Sequence, residues 1–206
     1  MSYSAMSVTS IRLAKEADAE ELVSLYAPYC SGESAVSFDT EPPNADEMAL
    51  RISNVLQRYP WLVCEAEPGI VGFINATPHQ PRGAYIWSVT TAVYVHDSYH
   101  RRGIGYGLYG SLLPLLRHQG FFNAYACITI PNPRSTGLHS AMGFTPIGRF
   151  HNVGYKAGAW RDVEWWHCPL QPPRPSPPLP PMDMKVAQQQ PWFPQVLAEG
   201  VPAVHL

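Results

Sequence analysis

A short turn rich in arginine and glycine carries the clearest chemical signal in the sequence. It runs from His96 to Gly105 and contains Arg101, Arg102 and Gly103. A helix that begins at such a turn presents free backbone N–H groups and the positive end of its dipole, and both attract phosphate. Gly103 and Gly105 have no side chains, so a pyrophosphate could approach the backbone closely. The turn therefore predicts a phosphate-binding site.

The spacing of the two glycines excludes two common nucleotide-binding motifs. The dinucleotide-binding pattern G-x-G-x-x-G fails because position 108 is Leu, and no Lys-Ser/Thr pair follows as it would in a P-loop. A strand-to-helix G-x-G is often a simple tight turn, so this turn alone leaves that interpretation open.

The elements on either side of the turn must position it. Residues 86–95 are rich in β-branched and aromatic residues and nearly free of charge, which favours a buried central strand. From Gly103 to His118, apolar residues recur on one helical face. The sequence thus predicts a strand, the turn and a helix in succession.

Hydrophobic periodicity and turn signals organise the rest of the chain. Further strands are predicted at 8–14, 61–66, 70–76, 124–130, 145–155 and 162–170. Further helices are predicted at 18–30, after an Asn44–Glu47 capping box, and at 135–142 with Gly143 as a C-cap. The order β-α-α-β-β-β-α-β-α-β-β predicts an α/β (α+β) fold with a mixed sheet flanked by helices.

Composition favours one domain with an appended segment. The chain has 206 residues, of which 46% are hydrophobic and 12% aromatic, enough for the core of one domain of about 150–170 residues. A formal net charge of −2 gives no electrostatic basis for binding nucleic acid or an anionic membrane. No membrane-spanning stretch or signal peptide is evident, so we expect a cytoplasmic protein.

Residues 171–206 differ from the rest in composition. They hold ten of the 22 prolines and four charged side chains. Because proline removes backbone donors and interrupts helix and sheet, we expect a domain at 1–170 followed by an extended, disordered or loosely docked tail. Trp192 and Phe193 are the residues that could dock it onto the body or a partner.

The four cysteines give no sign of a metal or disulfide framework. Cys30, Cys64, Cys127 and Cys168 are widely scattered, and none forms a C-x-x-C pair. We expect reduced thiols in the core.

Several segments in order resemble the GNAT superfamily of N-acetyltransferases, and within it the phosphinothricin/methionine sulfoximine N-acetyltransferases. The turn matches the superfamily pattern Gln/Arg-x-x-Gly-x-Gly/Ala at Gly103 and Gly105, although His100 departs from the usual first residue. The other matching segments are 34–42, 59–63, 92–95, 130–132, 138–144, 153–156 and 160–163. The resemblance covers residues 11–169.

This resemblance implies the co-substrate and the shape of its site. It implies a mostly antiparallel sheet with splayed fourth and fifth strands, acetyl-CoA as donor, no metal, a small amino-acid-like amine as acceptor, and a homodimer. An acetyl thioester needs positioning beside a neutral amine rather than activation by a metal, and a strand edge can pair with the amides of the pantetheine arm. The implied cofactor-binding residues are Val93, Tyr94, Val95, Arg101, Arg102, Gly103, Ile104, Gly105, Tyr106 and Asn132.

The acceptor must lose a proton before it attacks, because a free amine has a pKa of ~8–10. The family usually has a glutamate in a Thr-Val-Glu triplet on the central strand; here the triplet is Ser88-Val89-Thr90. A threonine hydroxyl is not a base near neutral pH. His139 occupies the family's histidine position, and an ordinary imidazole pKa of ~6.5 suits proton removal. We expect His139, with Glu41 through water, to act as the base while Thr90 orders that water.

The acceptor pocket and the general acid are less defined by sequence. The implied pocket residues are Phe38, Glu41, Gly83, Ala84 and Tyr85. Tyr109 is a candidate for the general acid. Loss of the family glutamate leaves a second hypothesis open, a non-catalytic protein that binds or senses acyl-CoA. A protein or peptide acetyltransferase is a third, against which the aromatic-lined loop around Phe38 argues.

Overall fold

A seven-stranded mixed sheet forms the centre of the molecule in a computed structural model that describes residues 9–172, 176 and 178–206. The strands are β1 (Ser10–Leu13), β2 (Trp61–Ala66), β3 (Gly69–Pro78), β4 (Ser88–Val95), β5 (Asn123–Ile130), β6 (Thr145–Lys156) and β7 (Ala159–Pro169). The helices are α1 (Ala19–Cys30), α2 (Ala45–Val55), α3 (Ile104–Gln119), α4 (Pro133–Ala141), α5 (Met184–Ala187) and α6 (Phe193–Ala198).

The strand order is β1-β2-β3-β4-β5-β7-β6. The β4–β5 pair is parallel, and the other described pairs are antiparallel. This confirms the predicted mixed, mostly antiparallel sheet and the predicted order of elements. Val8, predicted to open the first strand, lies outside the described residues. The central strand begins at Ser88 rather than residue 86, because a 3₁₀ turn (Gly83–Tyr85) precedes it.

The helix-capping features predicted from the sequence are present in the structure. The capping box of α2 is formed: the Glu47 N–H donates to Asn44 Oδ1 (2.9 Å), and the Asn44 N–H donates to Glu47 Oε2 (3.0 Å). Gly143 follows α4 with φ +87°, a conformation that glycine adopts without strain. The capping box defines the start of α2, and Gly143 allows the chain to leave the end of α4.

Helices cover the sheet on both faces. On one face, α1 and α2 bury Leu22 and Ile52 against Trp61 and Phe73. On the other, α3 buries its leucine-rich stripe, including Leu108, in the larger core cluster. None of the described helices is both long and apolar enough to cross a membrane.

Three cysteines lie in the core, as expected, but Cys127 does not. Cys30, Cys64 and Cys168 are buried, whereas Cys127 is exposed. The expectation was wrong at Cys127 because successive side chains of β5 alternate between the core and the opposite, partly open face of the sheet.

The described part of the proline-rich segment packs against the body. It forms α5 and α6, whose buried side chains are Met184, Ala187, Phe193 and Val196. Trp192 stacks on His118 of α3 with ring centroids 4.5 Å apart. This differs from the expected extended or loosely docked tail, because its few apolar residues find partners on α3. The division into a domain at 1–170 and an appended segment stays a prediction.

Glycines on both sides of the contact let residues 200–204 lie against the start of α3. A Cβ at Gly103, which has φ +73°, would overlap the carbonyl of Ala203, and a Cβ at Gly200 would overlap the carbonyl oxygen of Gly107. The Gly200 N–H donates to Ser111 Oγ (3.2 Å). The C-terminal segment therefore lies directly on the backbone of α3, next to the arginine–glycine turn.

Gly200→Ala should displace this segment. Gly200 has φ −83°, which alanine adopts freely, so the added methyl acts through overlap with Gly107 and not through backbone strain. We expect a loss of about 1–3 kcal/mol in the free energy of unfolding, measured by urea denaturation. Gly148→Ala, where a Cβ meets nothing within 4 Å, is the control. Equal unfolding midpoints for the two variants would show that the contact does not stabilise the fold.

Candidate active site

A cleft opens where β4 and β5 diverge. Their register pairs Ser88, Val89 and Thr90 with residues 123–125, and the described register contains no pair beyond Thr90–Tyr125. The cleft beyond it has a volume of about 1000 Å³ and is bounded by the ends of β4 and α1, the arginine–glycine turn and α4. The predicted splay of the fourth and fifth strands is thus confirmed.

Most of the predicted cofactor-binding residues line this cleft. They are Val93, Val95, Arg101, Gly103, Ile104, Gly105, Tyr106 and Asn132. Tyr94 and Arg102 are not in the lining. The Tyr94 ring points to the opposite face and packs edge-on against Tyr26, with centroids 4.8 Å apart, and the Arg102 guanidinium lies over the Tyr99 ring at 5.1 Å. The structure brings the set together except for these two side chains.

The start of α3 offers uncapped amides to the cleft. The first hydrogen bond at this end runs from the Gly107 N–H to Gly103 O (2.8 Å), and Gly103 provides no side-chain cap. The preceding amides at Ile104, Gly105 and Tyr106 have no intrahelical acceptor, and all three residues line the cleft. This arrangement suits an anionic group such as phosphate.

Protein packing also explains why these positions are glycine. Gly103 needs its left-handed backbone conformation and the room taken by the C-terminal segment, as described above. A Cβ at Gly105 would lie 2.8 Å from Leu138 Cδ2 on α4. The missing side chains therefore allow α3 to approach its neighbours, in addition to any approach by a ligand.

His100 and Arg134 form part of the cleft wall that sequence analysis did not assign. Arg134 donates to His100 Nδ1 (3.1 Å), so His100 Nε2–H donates to Val95 O (3.1 Å). The Asn132 side-chain oxygen caps α4 by accepting from the Ser135 N–H (3.1 Å). Arg134 and Arg101 thus supply positive charge to the lining, and the proximity of residue 134 to the Pro-Asn-Pro turn was the signal available in the sequence.

His139 is buried on the α3 side of the sheet, with 3% of its surface exposed. Its Nδ1–H donates to Ser135 O (2.7 Å), and Nε2 accepts from the Tyr109 hydroxyl (2.8 Å). Thr91 Oγ1 lies 2.9 Å from the same hydroxyl. Burial lowers the pKa of His139 and raises that of Tyr109. His139 is therefore a neutral ring with both nitrogens bonded inside the protein, and its role as the base stays a prediction.

Thr90 faces the other side of the sheet and contacts a histidine that sequence analysis missed. His79 Nδ1 lies 3.1 Å from Thr90 Oγ1. His79 follows the end of β3, where Pro78 pairs with Val89. The alternation Thr77–His79 along the strand was an available signal, but only the β3–β4 register places His79 beside Thr90.

The loop between α1 and α2 is fixed by a buried lysine. Lys156 Nζ donates to Ser37 O and Asp39 O, both at 2.6 Å, and to Tyr29 O at 3.4 Å. All three acceptors of the Lys156 ammonium group are backbone carbonyl oxygens, and none of these hydrogen bonds goes to a carboxylate. Lys156 therefore sets the position of the loop that carries the predicted acceptor residues.

The predicted acceptor residues lie on two separate loops. Phe38 packs its ring on Gly154 of β6 and keeps 41% of its surface exposed. Tyr85, at the end of the Gly83–Tyr85 turn, is 43% exposed and lies edge-on to His79 with centroids 6.1 Å apart. Glu41 is exposed. The loop that carries Phe38 therefore packs on β6, and the turn that carries Tyr85 packs beside the end of β3.

A second, smaller cleft adjoins Thr90 on the same face. Its volume is about 380 Å³, and its lining includes Arg51, Asn75, Thr77 and Ala92. Thr77 pairs with Thr90 across β3 and β4, and its hydroxyl lies 3.4 Å from Thr90 O. The rest of the lining is largely apolar and aromatic, including Met48, Trp61 and Phe73, so the cleft combines an apolar wall with a few polar groups and one cation.

Comparison with known proteins matches residues 11–165 to the acetyltransferase (GNAT) domain. The chain is 40% identical to a phosphinothricin N-acetyltransferase of Streptomyces viridochromogenes over 149 residues, 72% of this chain and 81% of that protein. It is 30% identical to an L-methionine sulfoximine/L-methionine sulfone acetyltransferase of Pseudomonas aeruginosa over 169 residues, 82% of this chain and 98% of that protein. A crystal structure of a phosphinothricin acetyltransferase from Sinorhizobium meliloti in complex with acetyl-CoA is similar with a TM-score of 0.78 at 29% identity, covering 83% of this chain and 93% of that one.

Lys156→Met should release the loop of residues 31–43. Methionine has a similar length but no donor, so the carbonyls of Ser37 and Asp39 lose a charged partner. We expect faster amide hydrogen exchange in this loop and a loss of about 1–3 kcal/mol in the free energy of unfolding. Lys185→Met, at an exposed position of α5, is the control. Unchanged hydrogen exchange in the loop would show that Lys156 does not hold residues 31–43 in place.

Proposed function

Because the chain belongs to the GNAT family of N-acetyltransferases, we propose that it acetylates a small amino-acid-like amine of the phosphinothricin or methionine sulfoximine type. The observation that carries this proposal is the cleft at the β4–β5 divergence, which ends at the uncapped amides of α3. Direct attack of a neutral amine, with donor and acceptor bound together, is the mechanism that such a site supports.

The residues present fit acetyl-CoA, which would supply the activated acetyl thioester. The amides at the start of α3, with Arg101 and Arg134, would hold its phosphates. Beyond Thr90, the gap side of β4 has no strand partner, so the backbone at Val93 can accept an amide-bearing chain as an added strand would. The volume of the cleft, about 1000 Å³, is that of a large-ligand site.

The acceptor would bind on the opposite side of β4. Phe38 and Tyr85 present exposed aromatic surface there on two loops. The smaller cleft beside Thr90 adds Asn75 and Arg51, which also donates to Asp39 Oδ2 (3.2 Å). An amino-acid-like molecule carries a carboxylate as well as an amine, and a cation together with amide donors suits that group. Glu41 and the Gly83–Tyr85 turn complete the proposed acceptor surroundings.

A homodimer, implied by the family resemblance, stays a prediction. The surface that a second copy would cover includes the β6–β7 hairpin, whose large apolar side chains Ile147, Phe150 and Trp160 are more than half exposed. Exposed apolar side chains along one hairpin favour association.

A screen of amines with acetyl-CoA tests the proposal. Thiol release would be followed for phosphinothricin, methionine sulfoximine, methionine sulfone, polyamines and common amino acids. We expect turnover with one of the first three and little with polyamines, because polyamines have no carboxylate for Arg51 of the smaller cleft to bind. CoA binding would be measured in parallel by calorimetry. Tight CoA binding without turnover on any amine would favour the acyl-CoA-binding hypothesis, and failure to bind CoA would overturn both.

His139→Ala separates a structural role from proton removal. Because both ring nitrogens are bonded to the protein, we expect a loss of stability and a fall in kcat by the same factor at about pH 7 and about pH 9. Ser140→Ala, an exposed neighbour on α4, should change neither. A loss confined to neutral pH would instead establish His139 as the base, as the family resemblance implies.

A further inference from the structure

His79 and Thr90 meet at the point where the central strands part. Thr90 is the last residue of β4 in register with β5, opposite Tyr125. His79 reaches it from the end of β3 with Nδ1 3.1 Å from the Thr90 hydroxyl oxygen. The imidazole of His79 therefore lies beside residue 90, where the family resemblance implies a glutamate and this sequence has threonine.

We infer that His79, oriented by Thr90, removes the proton from the acceptor amine. This inference rests on the acetyl transfer proposed above and specifies which group makes the amine neutral. His79 is the catalytic residue in this assignment because it contacts the reacting amine, and Thr90 is a positioning residue.

Aromatic neighbours fix the plane of the His79 ring. It stacks on Tyr125 with centroids 4.2 Å apart and an interplanar angle of 22°. Trp165 packs against it edge-on at 5.5 Å, and Tyr85 at 6.1 Å. A base must be held within hydrogen-bond reach of the proton that it removes, and three rings from three separate elements restrict this side chain. Tyr85 also belongs to the predicted acceptor pocket.

One ring nitrogen of His79 is left for a ligand. Among the described residues, Nδ1 has a hydrogen-bond partner in Thr90 and Nε2 has none. With the proton on Nδ1, that N–H donates to Thr90 Oγ1 and Nε2 keeps its lone pair. The side chain is half-buried, so a small molecule can reach it. His139 differs in each respect, since it is buried and both of its nitrogens are bonded.

The charges around His79 favour a neutral ring. The titratable groups that face it from the packed elements are Tyr85 and Tyr125, with His167 stacked on Tyr125 at 4.9 Å. Cys127 lies next on the same face of β5. The described ring contacts of His79 are all aromatic, and its described hydrogen-bond partner is the Thr90 hydroxyl, so none of these contacts is with a carboxylate. Partial burial lowers the pKa of His79 below its ordinary value, which favours the unprotonated ring that can accept a proton.

The proton balance is simple. One proton passes from the acceptor's ammonium group to His79 Nε2, giving the neutral amine and an imidazolium. Thr90 Oγ1 continues to accept the Nδ1–H in both states, so the ring need not turn. The imidazolium then returns its proton to water before the next turnover.

The pH dependence of kcat in His79 and Thr90 variants tests this assignment. His79→Phe keeps the stacking on Tyr125 but has no nitrogen, and we expect kcat to fall about 100-fold or more near neutral pH with unchanged affinity for CoA. The acidic limb of the wild-type profile should lie below the ordinary imidazole pKa and vanish in the variant. Thr90→Val should lower kcat about tenfold and move that limb, and Thr90→Ser should restore both. The His79 ring resonance, followed by NMR, should titrate with the pKa of the limb.

Matched variants keep the outcome interpretable. His167→Phe alters the other face of the same stack and should stay within about twofold of the wild type. His79→Gln retains a polar group and serves if His79→Phe fails to fold. In a His79→Phe background, Thr90→Glu should recover activity by returning a carboxylate to β4. Retention of kcat within about threefold and of the acidic limb in both His79 variants overturns the inference alone. Absence of turnover by the wild type on every amine overturns the proposed function and this inference together.

Discussion

The structure depends on the divergence of two neighbouring strands. β4 and β5 pair over three residues and then separate, which leaves backbone donors and acceptors in the middle of a sheet without strand partners. Unpaired polar groups inside a protein are costly. The protein satisfies some of them itself: Val95 O accepts from the Tyr29 hydroxyl and from His100, and Thr91 Oγ1 donates to Tyr125 O (3.2 Å). Val93, on the stretch of β4 that has no partner in β5, lines the cleft, where a ligand with amide groups could pair with its backbone.

The turn beyond β4 is supported from two directions. On one side the C-terminal segment lies on the glycines of α3, and the His205 N–H donates to Arg102 O (2.9 Å). On the other, Leu138 of α4 fills the space beside Gly105. A helix start that binds phosphate must hold its amides in place before the ligand arrives, since ordering them on binding would weaken affinity. The proline-rich segment thus has a place in the architecture of the turn.

The side chains of two adjacent residues of β4, Thr90 and Thr91, contact different histidine-containing groups on opposite faces of the sheet. Thr91 points toward α3 and meets Tyr109, which meets His139. Thr90 points the other way and meets His79. Successive side chains of a strand alternate in this manner, so two histidines far apart in sequence approach the same point of divergence from two sides. One is sealed in the core and the other is half-buried, which gives them different capacities for proton transfer.

The sequence by itself determined the order of elements, the capping box at Asn44, the glycine after α4 and the arginine–glycine turn at the start of α3, because each depends on residues within a few positions of one another. The matching segments also identified the family. Tertiary structure decided what depends on register and long-range packing: the contact of His79 with Thr90, the bonds from Lys156 to a loop more than a hundred residues away, and the docking of the C-terminal segment. It also decided which side chains of the predicted site face the cleft, and it turned Tyr94 and Arg102 away. Periodicity and capping are local, whereas the partner of a side chain across a sheet is fixed by how whole strands align, which no short pattern records.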